Sequence, residues 1–192
     1  MEKYAVDLDG TVFNIIESFL LYCKIKHNIV FSHNELCYFN FVDRKFGKNH
    51  GAKLFDGFSK DNRYINPPVI KYAVEVLKQL SLIGDIYIIT ARPKEYRKET
   101  IDSLIKLGID FRDIFIKIGI NKMEIMDSLN ITALIEDNGE LCLKASNNGI
   151  RAYCIEANYN KEYINKYRNI VGIKCWLEIL NNELKVLNGG KL

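Results

Sequence analysis

The apolar positions of the chain change period as it runs, and each change marks an element. Tyr4-Ala5-Val6 is a short continuous apolar run of the kind a buried strand shows, and it gives way to Asp7-Leu8-Asp9-Gly10-Thr11. Ile15, Ile16, Phe19, Leu20 and Tyr22 or Cys23 then recur at helical spacing, predicting a helix from Asn14 to about His27 with Asn28 as its stop. Two more helices are predicted, Ser32 or His33 to Phe46 ended by Gly47, and Asn49 to Ser59. Asn66-Pro67-Pro68 breaks the chain, because proline restricts its predecessor and suits a helix start. A helix is expected from about Pro68 to Leu82, ended by Gly84.

From there strands and helices alternate. Strands are predicted over 85–90, 113–117, 131–135 and 151–155, and helices over 94–107, 122–129 and 140–147. A last helix, about 173–187, points Trp176, Ile179 and Leu180 inward, and the tail 188–192 is expected to fray. Strands separated by helices make βα units, so the fold class is α/β, a Rossmann-like, mostly parallel sheet flanked by helices. Residues 1–13 and 67–192 form the core on this reading, and residues 14–66 a small helical insert after the first strand.

Composition narrows the class. At 192 residues, 48% hydrophobic and 27% charged, the chain has globular values and length enough for a sizeable core. No apolar stretch approaches the roughly 18 residues of a spanning helix and no signal-peptide layout precedes Asp7, so a cytoplasmic protein without a membrane partner is expected. The five cysteines, Cys23, Cys37, Cys142, Cys154 and Cys175, include no C-x-x-C pair and fit free thiols. Net charge is +3 and the 27 basic residues are spread out, which argues against a stable nucleic-acid partner. The three histidines show no metal-binding spacing.

The candidate chemistry sits at strand ends. Asp7 and Asp9, two residues apart in an extended segment, fall on the same side, where an open α/β sheet binds its ligands. Their repulsion is relieved by a shared proton or a cation, and an all-oxygen site favours a hard ion such as Mg²⁺. Asp9-Gly10 could instead turn a hairpin, but the helical spacing that follows opposes it; a calcium loop lacks its later acids. The next strand ends in Thr90-Ala91-Arg92-Pro93, where a hydroxyl and helix-start N–H groups can hold phosphate oxygens, or Thr90 merely caps the helix. A third strand closes on Glu136-Asp137-Asn138, and Lys122 lies on the helix before it, with Lys117 its competitor. A carboxylate nucleophile, a second carboxylate for protons, a third for Mg²⁺, and Thr and Lys for phosphoryl oxygens complement one another.

The insert is unusually aromatic, with Tyr38, Phe39, Phe41, Phe46, Phe55, Phe58 and Tyr64 among Arg44, Lys45, Lys48, Lys53 and Lys60. Most of these rings are expected to pack against the main domain, since aromatic stripes are usually core. At least one is expected to face a planar ligand, with Phe39, Phe41 and Phe46 the first candidates.

With Asp7-Leu8-Asp9-Gly10-Thr11, Thr90, Lys122 and Glu136-Asp137 in this order, the sequence resembles the haloacid dehalogenase-like superfamily of phosphohydrolases over nearly its whole length. The resemblance implies a haloacid dehalogenase-like core with a small helical cap, Asp7 as nucleophile and Asp9 as general acid and base. It also implies Mg²⁺ held by Asp7, the Asp9 carbonyl and Asp137, with Glu136 as a ligand or a ligand's partner. Phosphate would be met by Thr90, Lys122 and the chain around Leu8, Gly10, Ala91 and Arg92. Within the superfamily the chain is most similar to the deoxyribonucleotidases and related nucleotidases, through the cap, Ile135-Glu136-Asp137-Asn138 and Tyr159-Asn160. That group often carries two aspartates followed by arginine at the fourth motif, unlike Glu136-Asp137-Asn138. The expected activity is Mg²⁺-dependent hydrolysis of a small-molecule phosphomonoester, a nucleoside monophosphate first, with a homodimer left open. Other small phosphomonoesters, a nucleic-acid 3′-phosphate, and a phosphate-binding regulator with little turnover are the alternatives.

Overall fold

Period-two alternation along the strands assigns each apolar side chain to one of two faces of a sheet. In the computed structural model, which describes residues 1–37, 40–61 and 67–190, six parallel strands lie in the order β3-β2-β1-β4-β5-β6. They are β1 (Glu2–Val6), β2 (Gly84–Thr90), β3 (Asp113–Ile116), β4 (Ala133–Glu136), β5 (Arg151–Ile155) and β6 (Ile170–Ile173). Tyr4, Val6, Ile86, Ile88, Ile135 and Tyr153 point to one face, against α4 (Ala73–Leu80), α5 (Arg97–Lys106) and α9 (Leu177–Leu187). Ala5, Tyr87, Ile89, Leu134, Ala152 and Cys154 point to the other, against α6 (Lys122–Leu129), α7 (Gly139–Asn147) and α8 (Lys161–Lys166). Both faces are covered, as a parallel sheet requires. The strand order reverses direction at β1, so the crevice beyond the carboxyl ends of β1 and its neighbours is where this topology binds ligands.

Between β1 and β2 come α1 (Ile15–His27), a 3-10 turn at Glu35–Cys37, α2 (Phe41–Phe46) and α3 (Lys48–Lys60). Phe19, Tyr22, Phe31, Phe41, Leu54 and Phe58 form a third apolar cluster, separate from the two at the sheet. The insert rings, expected to pack against the main domain, therefore pack largely on one another. No helix among the described residues is long and apolar enough to cross a membrane.

Other boundaries also depart from expectation. Of the helix predicted over 32–46, the described residues show the 3-10 turn and α2, and residues 38 and 39 lie outside them. The helix expected from Pro68 starts only at Ala73, because Pro68 and Ile70 are taken up by backbone bonds with Asn14 and Val12 (2.8 Å each). Gly84, expected to end that helix, opens β2 instead, where a Cβ would stand 2.5 Å from the Glu2 carbonyl. The helix expected from Lys94 is a 3-10 turn as far as Tyr96. The long last helix resolves into β6 followed by α9, and the polar segment before it carries α8.

Candidate active site

Strand ends bring the chemistry together. Asp7 directly follows β1, and its N–H donates to the Ile135 carbonyl of β4 (3.0 Å), so the two strands deliver Asp7 and Glu136-Asp137 side by side. Lys122, first residue of α6, is placed by Asn121, whose side chain caps that helix. Its Nζ donates to Asp7 Oδ1 at 2.6 Å and to Glu136 Oε2 at 2.7 Å. Lys117 is exposed and does not line the cleft. Glu136 Oε1 accepts from the N–H groups of Asp137 and Asn138 (3.1 and 3.2 Å), so both of its oxygens are engaged.

Asp7, Glu136 and Asp137 are all buried, and one carboxylate oxygen from each lies within 4.8 Å of the others. Burial and then the Glu136 charge push the Asp7 carboxyl up to about 7, against the pull of Lys122. Burial and the same Glu136 charge hold Asp137 well above the carboxylate range. Burial would also raise Glu136, but Lys122 and the hydrogen bonds to its oxygens keep it low. Lys122 is raised, Asp7 and Glu136 outweighing the desolvation that opposes them. Three carboxylates facing one ammonium leave excess negative charge, and an oxygen-only donor set of this kind fits a hard divalent cation.

Asp9 stands apart from this cluster. Arg92 holds it through Nε (3.0 and 2.9 Å) and Nη2 (2.5 Å). The Arg92 guanidinium, 1% exposed, also donates to Thr100 (3.2 Å) and lies 5.0 Å over the Phe13 ring. Thr90, last in β2, accepts from the Arg92 N–H (3.4 Å); the α-helix it was weighed as capping begins at Arg97. Gly10 has φ +89°, and a Cβ there would fall 2.2 Å from Asp137 Oδ2. The Leu8 side chain is wholly buried.

A cleft of about 690 Å³ joins these groups to the insert helices. Asp7, Asp9, Thr90, Ala91, Arg92, Lys122, Glu136 and Asp137 line its floor, and Phe19, Phe41, Phe55 and Phe58 part of its wall. Of the predicted ligand-facing rings, Phe41 lines the cleft. Phe46 instead stacks on His50 at 5.1 Å, outside the lining, and Phe39 lies outside the described residues. Sequence reasoning missed Phe55, which is 42% exposed and stacked on Phe19 at 4.3 Å. Phe19 was legible only as a core position of α1. Tyr159, noted in sequence as half of a Tyr-Asn pair, also lines the cleft and donates its hydroxyl to Asp137 Oδ2.

The fold is that of the haloacid dehalogenase-like hydrolases. A hydrolase of that family from Streptococcus pneumoniae superposes with a TM-score of 0.63 at 15% identity, covering 94% of this chain and 97% of that one. No family model matches the sequence. In sequence the chain is similar to a nucleotidase of Clostridium acetobutylicum, 30% identical over 104 residues, 54% of this chain and 53% of that protein. That match thus spans about half the relative's length. A Bacillus cereus protein named putative nucleotidase is 25% identical over 144 residues, 72% of this chain and 74% of its own.

Proposed function

We propose that the protein is a Mg²⁺-dependent phosphomonoester hydrolase that works through an aspartyl-phosphate on Asp7, with (deoxy)nucleoside monophosphates as its first substrate class. The observation that carries the reading is Lys122 bridging Asp7 and Glu136 beside Asp137, at the carboxyl ends of β1 and β4. The names of the two similar proteins, both nucleotidases, support the substrate class.

Asp7 Oδ attacks the phosphorus in line, the ester P–O bond breaks, and Asp9 gives a proton to the leaving oxygen. Asp9 then takes a proton from the water that splits the acyl-phosphate, which returns both carboxylates to their starting forms. Lys122 neutralises charge on the phosphoryl oxygens and on Asp7, and the Thr90 hydroxyl gives a further hydrogen bond. Arg92 sets where the Asp9 carboxylate sits. Mg²⁺, held by Asp7, Asp137 and the Asp9 carbonyl with Glu136 alongside, would supply Lewis-acid charge at a phosphoryl oxygen. Residues 14–66 act as a cap whose rings cover the leaving group. The test is phosphate release from a panel of phosphomonoesters with and without Mg²⁺. Turnover of nucleoside monophosphates that requires the ion is expected, and no release from any ester would end the reading.

A further inference from the structure

Three segments far apart in sequence meet at one carboxylate oxygen. Gly10 leaves room beside Asp137 Oδ2, Tyr159 donates its hydroxyl to that same oxygen, and a Cβ on Gly10 would lie 3.1 Å from the Tyr159 hydroxyl. The turn that carries Tyr159 is itself clamped to the end of β4. Asn160, 1% exposed, donates to the carbonyls of Asp137 (2.8 Å) and Ile155 (2.7 Å), while its Oδ1 accepts from the Ala157 N–H (2.9 Å). A phenol has one proton to give, and here it goes to Asp137 Oδ2. One oxygen of Asp137, Oδ2, is therefore committed and hemmed in, on a carboxylate that offers an oxygen within 4.8 Å of those of Asp7 and Glu136.

We propose that Tyr159 is a positioning residue for the cation, holding Asp137 to a single donor oxygen and so selecting a small octahedral ion over a larger one; this rests on the metal assignment of the proposed function. The chemistry follows from the two ions' needs. Mg²⁺ requires near-ideal octahedral geometry and takes carboxylates through one oxygen, whereas Ca²⁺ accepts six to eight oxygens and two-oxygen carboxylates. Freeing Oδ2 lets Asp137 offer both oxygens, which costs Mg²⁺ its geometry and costs Ca²⁺ little.

The test is calorimetric titration of the whole chain, without substrate, by Mg²⁺ and by Ca²⁺. Tyr159→Phe is expected to weaken Mg²⁺ binding by about 10–100-fold, the usual effect of removing a ligand's hydrogen-bond partner, and Ca²⁺ binding by less than about threefold. Asn160→Ala keeps the hydroxyl but releases the clamp on the turn that carries it, and is expected to shift the preference in the same direction by a smaller factor. Equal losses for both ions in Tyr159→Phe would overturn the proposal while leaving the metal assignment standing. Absence of Mg²⁺ binding to the unsubstituted protein would overturn both.

Discussion

Asp7 is buried, 5% exposed, with a lysine at 2.6 Å. The lysine keeps a nucleophile aimed, and the burial makes its charge costly unless something positive sits close by. Asp7→Asn keeps the shape and removes the proposed nucleophile, because a neutral amide cannot form the acyl-phosphate. Turnover of an aryl phosphate is expected to fall by at least ~10³-fold, and a variant retaining a tenth of wild-type kcat would sink the mechanism. The same charges predict how the metal-free protein responds to pH. The Asp7 carboxyl, ordinarily at 3.8, stands at about 7 in the folded chain, and Asp137 is shifted the same way. A raised folded value means that the folded state holds its proton more tightly than the unfolded one. The stability so gained is present below the ordinary value and lost as pH rises through the folded one. Melting temperature in chelator is therefore expected to drop from about pH 4 to about pH 8, and Mg²⁺ to remove most of the drop. A chelator profile that Mg²⁺ leaves unchanged would contradict the assignment of the cluster.

At the scale of elements, what the sequence disclosed depended on whether local signals or distant partners set each boundary. β5 and α6 have the residue limits expected of them, and α6 is closed by Asn121 at one end and by left-handed Asn130 (φ 53°) at the other. α4 began late because its first residues pair with the loop after β1, and no local pattern encodes that pairing. β6 was missed because it is a four-residue edge strand whose apolar pattern is interrupted by Gly172. α9 hides the largest surprise, Glu183, fully buried at the ends of the strands opposite the cleft. Its carboxylate accepts from Tyr4 (2.9 Å), Tyr153 (2.5 Å) and Arg151 (3.0 and 2.9 Å), and so ties α9 to β1 and β5. In sequence it was one polar position in an amphipathic helix. Glu183→Ala leaves the Tyr4 and Tyr153 hydroxyls without their acceptor and Arg151 with Glu2 alone, and a loss of about 1–3 kcal/mol is expected in denaturant unfolding. Mg²⁺ affinity should be unaffected, since the network lies at the other end of the sheet; a loss below about 1 kcal/mol would mean that water replaces the carboxylate.

Over the whole molecule, residues from the strand ends and residues from the insert line one cleft, and the proposed function divides recognition between them. The motif residues were legible because Asp7, Thr90 and Glu136-Asp137 follow or end strands and Lys122 opens the helix before β4, and the topology gathers strand ends whatever the loops between them do. The insert rings were legible only as a composition, because whether a ring faces a neighbour or the cleft is decided by how three short helices pack. The structure separates them. Phe41, Phe55 and Phe58 all line the cleft, but Phe58 is 1% exposed and Phe41 5%, within the apolar cluster, whereas Phe55 is 42% exposed in its stack on Phe19. On the proposed reading the strand-end groups meet only a phosphoryl group and cannot tell one monoester from another, so selectivity falls to what covers the leaving group. A base stacked on an exposed ring gains roughly 1–3 kcal/mol, a range measured for single-strand binders. Phe55→Ala is therefore expected to raise KM for a nucleoside monophosphate about 5- to 100-fold and to leave a small aryl phosphate nearly unchanged. Phe46→Ala removes a ring that stacks on His50 outside the cleft, and is expected to lower stability without changing the ratio between the two substrates. Parallel KM measurements on both substrates decide the matter. If Phe55→Ala changed them equally, the ring would be packing alone and the nucleotide reading would reduce to an unspecified phosphomonoesterase.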